Sequence, residues 1–327
     1  MSKQTATQAK AVFYSSRNVF IAFTYVCNAF CKKCITRYHR FKNMRMTKAI
    51  IDFVISELII NQYTGVINLG SGEPLTNNDL SYFLEKLLKN NSKIKFRILT
   101  NGMLLNDKLP EFFFSNRVIW GITLDGFENY DLTNLQKGVD LNIVKQNIES
   151  ICGKYGAERL YLNYTLNGQN FSSLKNFIDF SNLNKVKNIY VTNMKIFNGF
   201  RKYLDSYKFN QEKNGLQLNE LEKYAKSLDF DKVSFGTNFF KNKYSECYNK
   251  NKVNQIIDIE GSVSFCYGQE DKIVGNIQDP DIYEKWYKLL LTLQNKKNNW
   301  CSNCCTNANS DGYFSVSKQI YQGIGDL

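Results

Sequence analysis

"NVFIAFTY" at residues 18–25 runs almost directly into "CNAFCKKC" at 27–34, so three cysteines follow an apolar, strand-like stretch. Its β-branched and aromatic residues suit a pleated surface buried on both faces. The same rhythm repeats outward along the chain. "GVINLG" (65–70), "IKFRILT" (94–100), "NRVIWGITL" (116–124), "RLYLNYTL" (159–166) and "KNIYVTNMKI" (187–196) predict further strands. Between them, helices are predicted from Thr47 to Asn61, over "LTNNDLSYFLEKLLKNN", and near 105–115, 140–154 and 172–183. Strands alternating with helices imply βαβ crossovers and a parallel sheet, either doubly wound or curled into an open, partial barrel. Spacing alone leaves both open. A parallel barrel presents its functional loops at the C-terminal strand ends, which is where the cysteines fall.

Composition bounds the rest. The 327 residues (38.0 kDa) suit one large domain with an appendage, and 43% hydrophobic with 14% aromatic residues are ample for a core. With three prolines in all, no low-complexity tract marks a linker. The start, "MSKQTATQAKAVFYSS", lacks the apolar run of a secretory signal, and no stretch is long enough to span a bilayer. A cytoplasmic protein is expected, with nine cysteines read as reduced thiols and metal ligands rather than disulfides. The net charge of +12 is spread over Lys/Asn-rich surface segments such as "KFNQEKNG". That scatter, without an Arg-rich helix or aromatic RNA-binding signature, argues against a nucleic-acid partner.

Three thiolates are one short of a closed site. A 4Fe–4S cluster is ordinarily held by four, so three leave one iron open to an outside ligand, the mark of catalytic metal chemistry. The bland alternative is zinc completed by His39, the sole histidine.

Set as C-x3-C-x2-C, "CNAFCKKC" resembles the signature of radical S-adenosylmethionine (SAM) enzymes, with Cys27, Cys31 and Cys34 as the ligands of the SAM-binding cluster. Later motifs follow in order. "GSGEP" (70–74) is similar to the Gly-Gly-Glu-Pro segment, with Ser71 for one glycine and Gly72, Glu73 and Pro74 matching. Carbonyls and a carboxylate there suit the methionyl ammonium. "TNG" (Thr100, Asn101), "TLDG" (Thr123, Asp125) and the Asn163-bearing "LNYTLNGQN" resemble the motifs at the next three strand ends. Lys33 stands where the family commonly has an aromatic residue near the adenine, leaving Phe30 or Tyr38 for that surface.

Beyond residue 196 comes a connector with a helix at about 216–228. "VNQIIDIEGSVSFCYG" then alternates like a β-hairpin turning at Glu260–Gly261, and "PDIYEKWYKLLLTLQN" reads as a helix before "CSNCC" at 301–305. This tail resembles the twitch form of the SPASM auxiliary domain, implying a second 4Fe–4S cluster on Cys247, Cys266, Cys301 and Cys304. The same thiolates would suit zinc, and Cys305 can replace Cys304. A low-weight reading makes Cys305 a hydrogen-atom donor to a substrate radical. Cys152 reads as a packing residue on an outer helix capped by the following glycine.

The resemblance implies a partial (β/α)6 barrel over 1–200, a connector over 201–243 and an auxiliary domain over 244–327. It implies reductive cleavage of SAM to a 5′-deoxyadenosyl radical that takes hydrogen from a substrate, with a flavodoxin or ferredoxin as electron donor. The favoured substrate is a ribosomally made peptide undergoing crosslinking, thioether formation or epimerisation. A small sugar or aminocyclitol is the alternative, and a non-catalytic Fe–S sensor the second.

Overall fold

A first strand, β1 (Asn18–Ala22), begins the sheet where the apolar run predicted it. The computed structural model describes residues 3–16, 18–31, 34, 44–128, 135–193, 211–235, 255–264 and 273–294. Lys33, Tyr38, His39, Cys247, Cys266, Cys301, Cys304 and Cys305 lie outside the described residues. The chain divides into two compact units. One holds the described residues up to 27, 44–98 and 255–294, and the other holds 28–34 and 99–235.

The first unit starts with α1 (Lys3–Tyr14), then β1. The cysteine loop carries β2 (Phe30–Cys31), which belongs to the second unit. Back in the first, α2 (Lys48–Ile60) is capped by Thr47, whose side chain accepts the Ile50 N–H. It leads to β3 (Val66–Gly70), α3 (Asp79–Asn90) and β4 (Lys95–Thr100). β1, β3 and β4 are parallel neighbours.

Alternation decides the faces. Phe96 on β4 meets Phe83 of α3 at 6.2 Å between ring centres, and Phe83 meets Phe23 at 5.3 Å. Ile67, Leu69, Phe96 and Ile98 therefore lie on the helix-covered face, while Asn68 and Arg97, paired in register, lie on the other.

The second unit contains β5 (Val118–Leu124), β6 (Gln136–Lys137), α4 (Leu141–Tyr155), β7 (Leu160–Leu166), α5 (Leu174–Leu183), β8 (Asn188–Asn193), α6 (Gln211–Ser227) and β9 (Lys232–Phe235). β5, β7, β8 and β9 are parallel in that order, and β6 pairs antiparallel with β2. Here Trp120 stacks on Phe113 and donates to its carbonyl at 2.9 Å, and Tyr164 packs on Phe177 of α5.

The tail hairpin is present as β10 (Gln255–Ile257) and β11 (Ser262–Ser264), followed by β12 (Gly275–Asn276) and α7 (Ile282–Gln294). Gly261 takes φ +82° at its turn, a conformation that favours glycine. β10 also pairs in parallel with β1, extending the first unit's sheet. Phe13 of α1, itself buried, meets Tyr283 and Trp286 of α7, each at 5.1 Å.

Several expectations need correction. The helix near 105–115 is only a 3-10 turn, Glu111–Phe114. Pro110, in the middle of the expected helix, has no N–H to donate and stands instead at the start of this turn, while the Asn106 side chain takes the Lys108 N–H in a separate turn before it. The segment predicted as one helix from Leu75 is split, because Asn77 Oδ1 accepts the Asp79 N–H and restarts the chain there. Gly153 does not cap α4. The helix runs on to Tyr155, and Gly156 at φ +92° ends it.

Candidate functional site

The "GSGEP" turn is shaped by its glycine. Ser71 takes φ +77°, and a Cβ at Gly72 would lie 2.5 Å from the carbonyl oxygens of both Thr24 and Val26. Only a residue without a side chain lets the end of β3 press this closely against the backbone that leads into Cys27. The contact is held by hydrogen bonds. The Glu73 N–H donates to Val26 O at 2.8 Å, Thr76 Oγ1 donates to the same oxygen at 3.3 Å, and Asn77 Nδ2 donates to Phe23 O at 3.2 Å. Pro74 opens a 3-10 turn, and Glu73, 1% exposed, accepts the Leu75 N–H at 3.4 Å. One oxygen of a buried carboxylate thus caps a turn beside the segment that enters the cysteine loop.

Within the second unit the cysteine loop has its own ties. β2 pairs Cys31 with Gln136 and Phe30 with Lys137. Asn101 Nδ2 donates to Asn28 Oδ1 at 2.7 Å, while Asn101 Oδ1 accepts the Met103 N–H at 3.0 Å. Thr100 Oγ1 accepts the Gly102 N–H at 3.0 Å, so "TNG" closes on itself as a tight turn. Gly138, at φ +92°, approaches Asn28 so closely that a Cβ would lie 3.0 Å from its carbonyl oxygen.

Gln136 is the hub. Its backbone pairs with Cys31, its Oε1 accepts the Asp125 N–H at 3.2 Å, and its Nε2 donates to Thr123 O at 3.1 Å. One buried amide thereby fixes the end of β5, where "TLDG" lies, to the cysteine loop. Asn170 supports the same strand end, donating to Asp125 O at 2.6 Å and to Thr165 O at 2.8 Å. Thr123 is in register with Asn163 on β7, whose Oδ1 accepts from Thr192 Oγ1 at 3.3 Å.

Cys27, Cys31 and Cys34 are half-buried and outside any disulfide, and the Cys34 N–H donates to Cys31 O at 3.2 Å. Among the described residues no three His, Cys, Asp or Glu side chains are assembled as a metal-binding group. The donor set nonetheless fits a cluster held through three irons: three thiols, none in a disulfide, within eight consecutive residues. Phe30 is 55% exposed, presenting its ring to the surface beside Cys31. Cys152 is the contrast, its thiol pushed up to about 11 by burial and then by the Glu158 carboxylate. That keeps it largely a thiol at neutral pH.

Asn28, Gln136 and Asn170 are the residues that sequence reading passed over. In so Asn-rich a chain a single amide carries no signal, and only Gly138, two residues after Gln136, hints at a close approach.

Residues 21–181, the span from β1 to α5, match the family described as Radical SAM superfamily. This stretch carries a radical SAM domain. Solved structures agree on the architecture. SuiB of Streptococcus suis bound to S-adenosylmethionine is 17% identical with a TM-score of 0.66, covering 94% of this chain and 76% of SuiB. The enzyme anSMEcpe with bound AdoMet and Kp18Cys peptide is 20% identical with a TM-score of 0.65, covering 93% and 94%. BtrN in complex with AdoMet and 2-DOIA is more distant, at 14% identity and a TM-score of 0.51 over 91% and 97%. No curated protein matches the chain in sequence. The family implies a 4Fe–4S cluster and SAM, and the mostly parallel α/β sheet is that of its partial barrel. Among the described residues no helix is long and apolar enough to cross a membrane.

Proposed function

We propose that this radical SAM enzyme modifies a ribosomally made peptide by a C–H conversion such as crosslinking, thioether formation or epimerisation. The observation that carries the catalytic half is the cysteine loop itself. It carries three thiols outside any disulfide; Asn101 and Gln136 tie its Asn28 and Cys31 to two motif-bearing strand ends, and the Gly72 turn packs against the backbone that leads into Cys27. Cys27, Cys31 and Cys34 would hold the cluster, and Gly72, Glu73 and Pro74 would receive the methionyl end of SAM. Thr100, Asn101, Thr123, Asp125 and Asn163 would line the rest of the cofactor's binding surface.

When bound and reduced by an external one-electron donor, cluster and SAM supply a 5′-deoxyadenosyl radical. The chain's own work is positional. Glu73 offers a buried carboxylate to an ammonium group, a charge-assisted pairing that strengthens away from water. Gln136 and Asn170 keep the backbone at Asp125 from moving, so a bound substrate meets a preorganised surface.

Support for a peptide comes from the neighbours. SuiB has been solved bound to precursor peptide SuiA and anSMEcpe with a peptide. The auxiliary domain over 244–327 and its cluster on Cys247, Cys266, Cys301 and Cys304 belong to this proposal, with Cys305 a spare ligand or hydrogen donor. The second reading is oxidation or epimerisation of a small sugar or aminocyclitol; BtrN, solved in complex with AdoMet and 2-DOIA, is the neighbour without a peptide. Mass spectrometry after anaerobic incubation with SAM and reductant separates the readings. A precursor peptide losing a pair of hydrogens, or exchanging a Cα hydrogen for solvent deuterium, supports ours. An unchanged peptide beside an oxidised aminocyclitol overturns it.

A further inference from the structure

On the face of the first unit's sheet opposite Phe83 and α3, Phe20, Asn68 and Arg97 stand side by side in register on β1, β3 and β4. Arg97 is 5% exposed. Its one hydrogen bond among the described residues runs from Nη1 to Asn68 Oδ1 at 3.1 Å, and its Nε–H has no partner. Asn68 is turned towards it by its own amide nitrogen, which donates to Asn18 Oδ1, Val19 O and Val66 O at 3.3–3.4 Å. Phe20 on the far side of Asn68 brings no charge.

A guanidinium cannot shed its proton to escape burial, and a lone neutral amide offsets little of the cost of taking a cation out of water. Structural arginines this deep are paired with carboxylates. Arg97 is not. The bond through Nη1 leaves Nε, part of the side-on fork that grips a carboxylate with two parallel hydrogen bonds, without an acceptor among the described residues. One step towards the strand C-termini the same face carries only Ala22 on β1 and Gly70 on β3, and on β4 itself Leu99 is 40% exposed. The chain thus keeps a buried cation in mid-strand, one step below Ala22 and Gly70.

We propose that Arg97, oriented by Asn68, is a carboxylate-binding site, and that its occupant is a carboxylate of the substrate. The second clause rests on the peptide-modifying reading above and narrows it: the residue presented would be Asp, Glu or a C-terminal residue. Arg97 would then choose and orient the substrate.

The test titrates wild-type protein with sodium acetate, following thermal melting against sodium chloride and acetamide at matched ionic strength and concentration. Acetate should raise the melting temperature in a saturating way, acetamide should not, and Arg97→Met should abolish the acetate effect. Arg97→Lys, which keeps the charge but loses the planar fork, should retain a weaker response if the methionine variant does not fold. Repeating the titration at saturating SAM identifies the source. An acetate response that persists supports a substrate carboxylate, whereas one that vanishes assigns the site to the cofactor's own carboxylate and overturns the second clause. Equal responses to acetate, acetamide and chloride in the wild type, or an undiminished response in Arg97→Met, overturn the site itself. None of these readouts depends on turnover. Failure of the radical SAM reading would appear separately, as wild-type protein that forms no 5′-deoxyadenosine.

Discussion

Ser71 and Gly72 should respond to substitution in opposite directions. At Gly72 an added methyl would stand 2.5 Å from two carbonyl oxygens and 3.0 Å from the Tyr25 carbonyl carbon, all of them backbone. Ordinary contact needs roughly 3.4 Å or more, so both carbonyls would have to retreat by about 0.9 Å, against a turn pinned by Glu73 N–H to Val26 O. Overpacking that no side chain can relieve costs at least 1–3 kcal/mol, so Gly72→Ala should lose about 3 kcal/mol. Ser71 sits at φ +77°, where a Cβ costs about 1–2 kcal/mol, and Ser71→Gly recovers this less roughly 0.5–1 kcal/mol of extra chain entropy. The net is a gain of up to about 1.5 kcal/mol. Urea midpoints of the two variants, with iron content after anaerobic reconstitution, provide the assay. Gly72→Ala should lower both and Ser71→Gly should raise the midpoint with iron unchanged. A tolerated Gly72→Ala, or a destabilising Ser71→Gly, would refute the close approach between β3 and the backbone before Cys27.

Three further outcomes follow from the same geometry. Glu73→Ala should weaken SAM binding by roughly 1.5–3 kcal/mol, measured calorimetrically, while Asp79→Ala, at the first residue of α3, should change stability and leave SAM affinity alone. Gln136→Leu strands the buried Asp125 N–H and Thr123 carbonyl and should cost about 2–4 kcal/mol, with iron retention falling; an unaltered melting curve would mean that the hub carries no weight. Glu57 accepts hydrogen bonds from Tyr283 and Tyr14 and pairs with Lys10 at 3.0 Å. Burial acts to raise its pKa, but the Tyr283 and Lys10 hydrogen bonds win and hold it below the usual carboxylate range. That stability is present above the unfolded-state pKa and disappears as pH falls through the lower folded one. Glu57→Gln should therefore lose about 1–3 kcal/mol at neutral pH and flatten the acid side of the stability profile.

What the sequence revealed, and what it hid, follows from the range of the forces involved. Strands such as "GVINLG" and "IKFRILT" are legible because apolar runs bounded by turn residues report burial locally. The motif glycines are legible for a similar reason, since Gly72 answers to a steric demand that admits one residue type. The helix expected near 105–115 failed because apolar spacing there competes with Pro110 and the Asn106 turn, and the local backbone chemistry won. α1 was not legible at all. "KQTATQAKAVFY" is mostly polar, and its place is decided by Phe13 and Tyr14 reaching Tyr283, Trp286 and Glu57, contacts some 40 to 270 residues away in sequence. Gln136 and Arg97 are hidden likewise: an amide becomes a hub, and an arginine an orphaned cation, only once register places each against its neighbours.

The most direct test of the central claim is anaerobic incubation of the reconstituted protein with SAM and dithionite, with 5′-deoxyadenosine measured by chromatography. The account predicts its formation by the wild type and its loss, together with part of the bound iron, when Cys27, Cys31 and Cys34 are replaced by alanine. Wild-type protein that binds iron but forms no 5′-deoxyadenosine, or a triple variant that still forms it, would contradict the assignment of the cysteine loop.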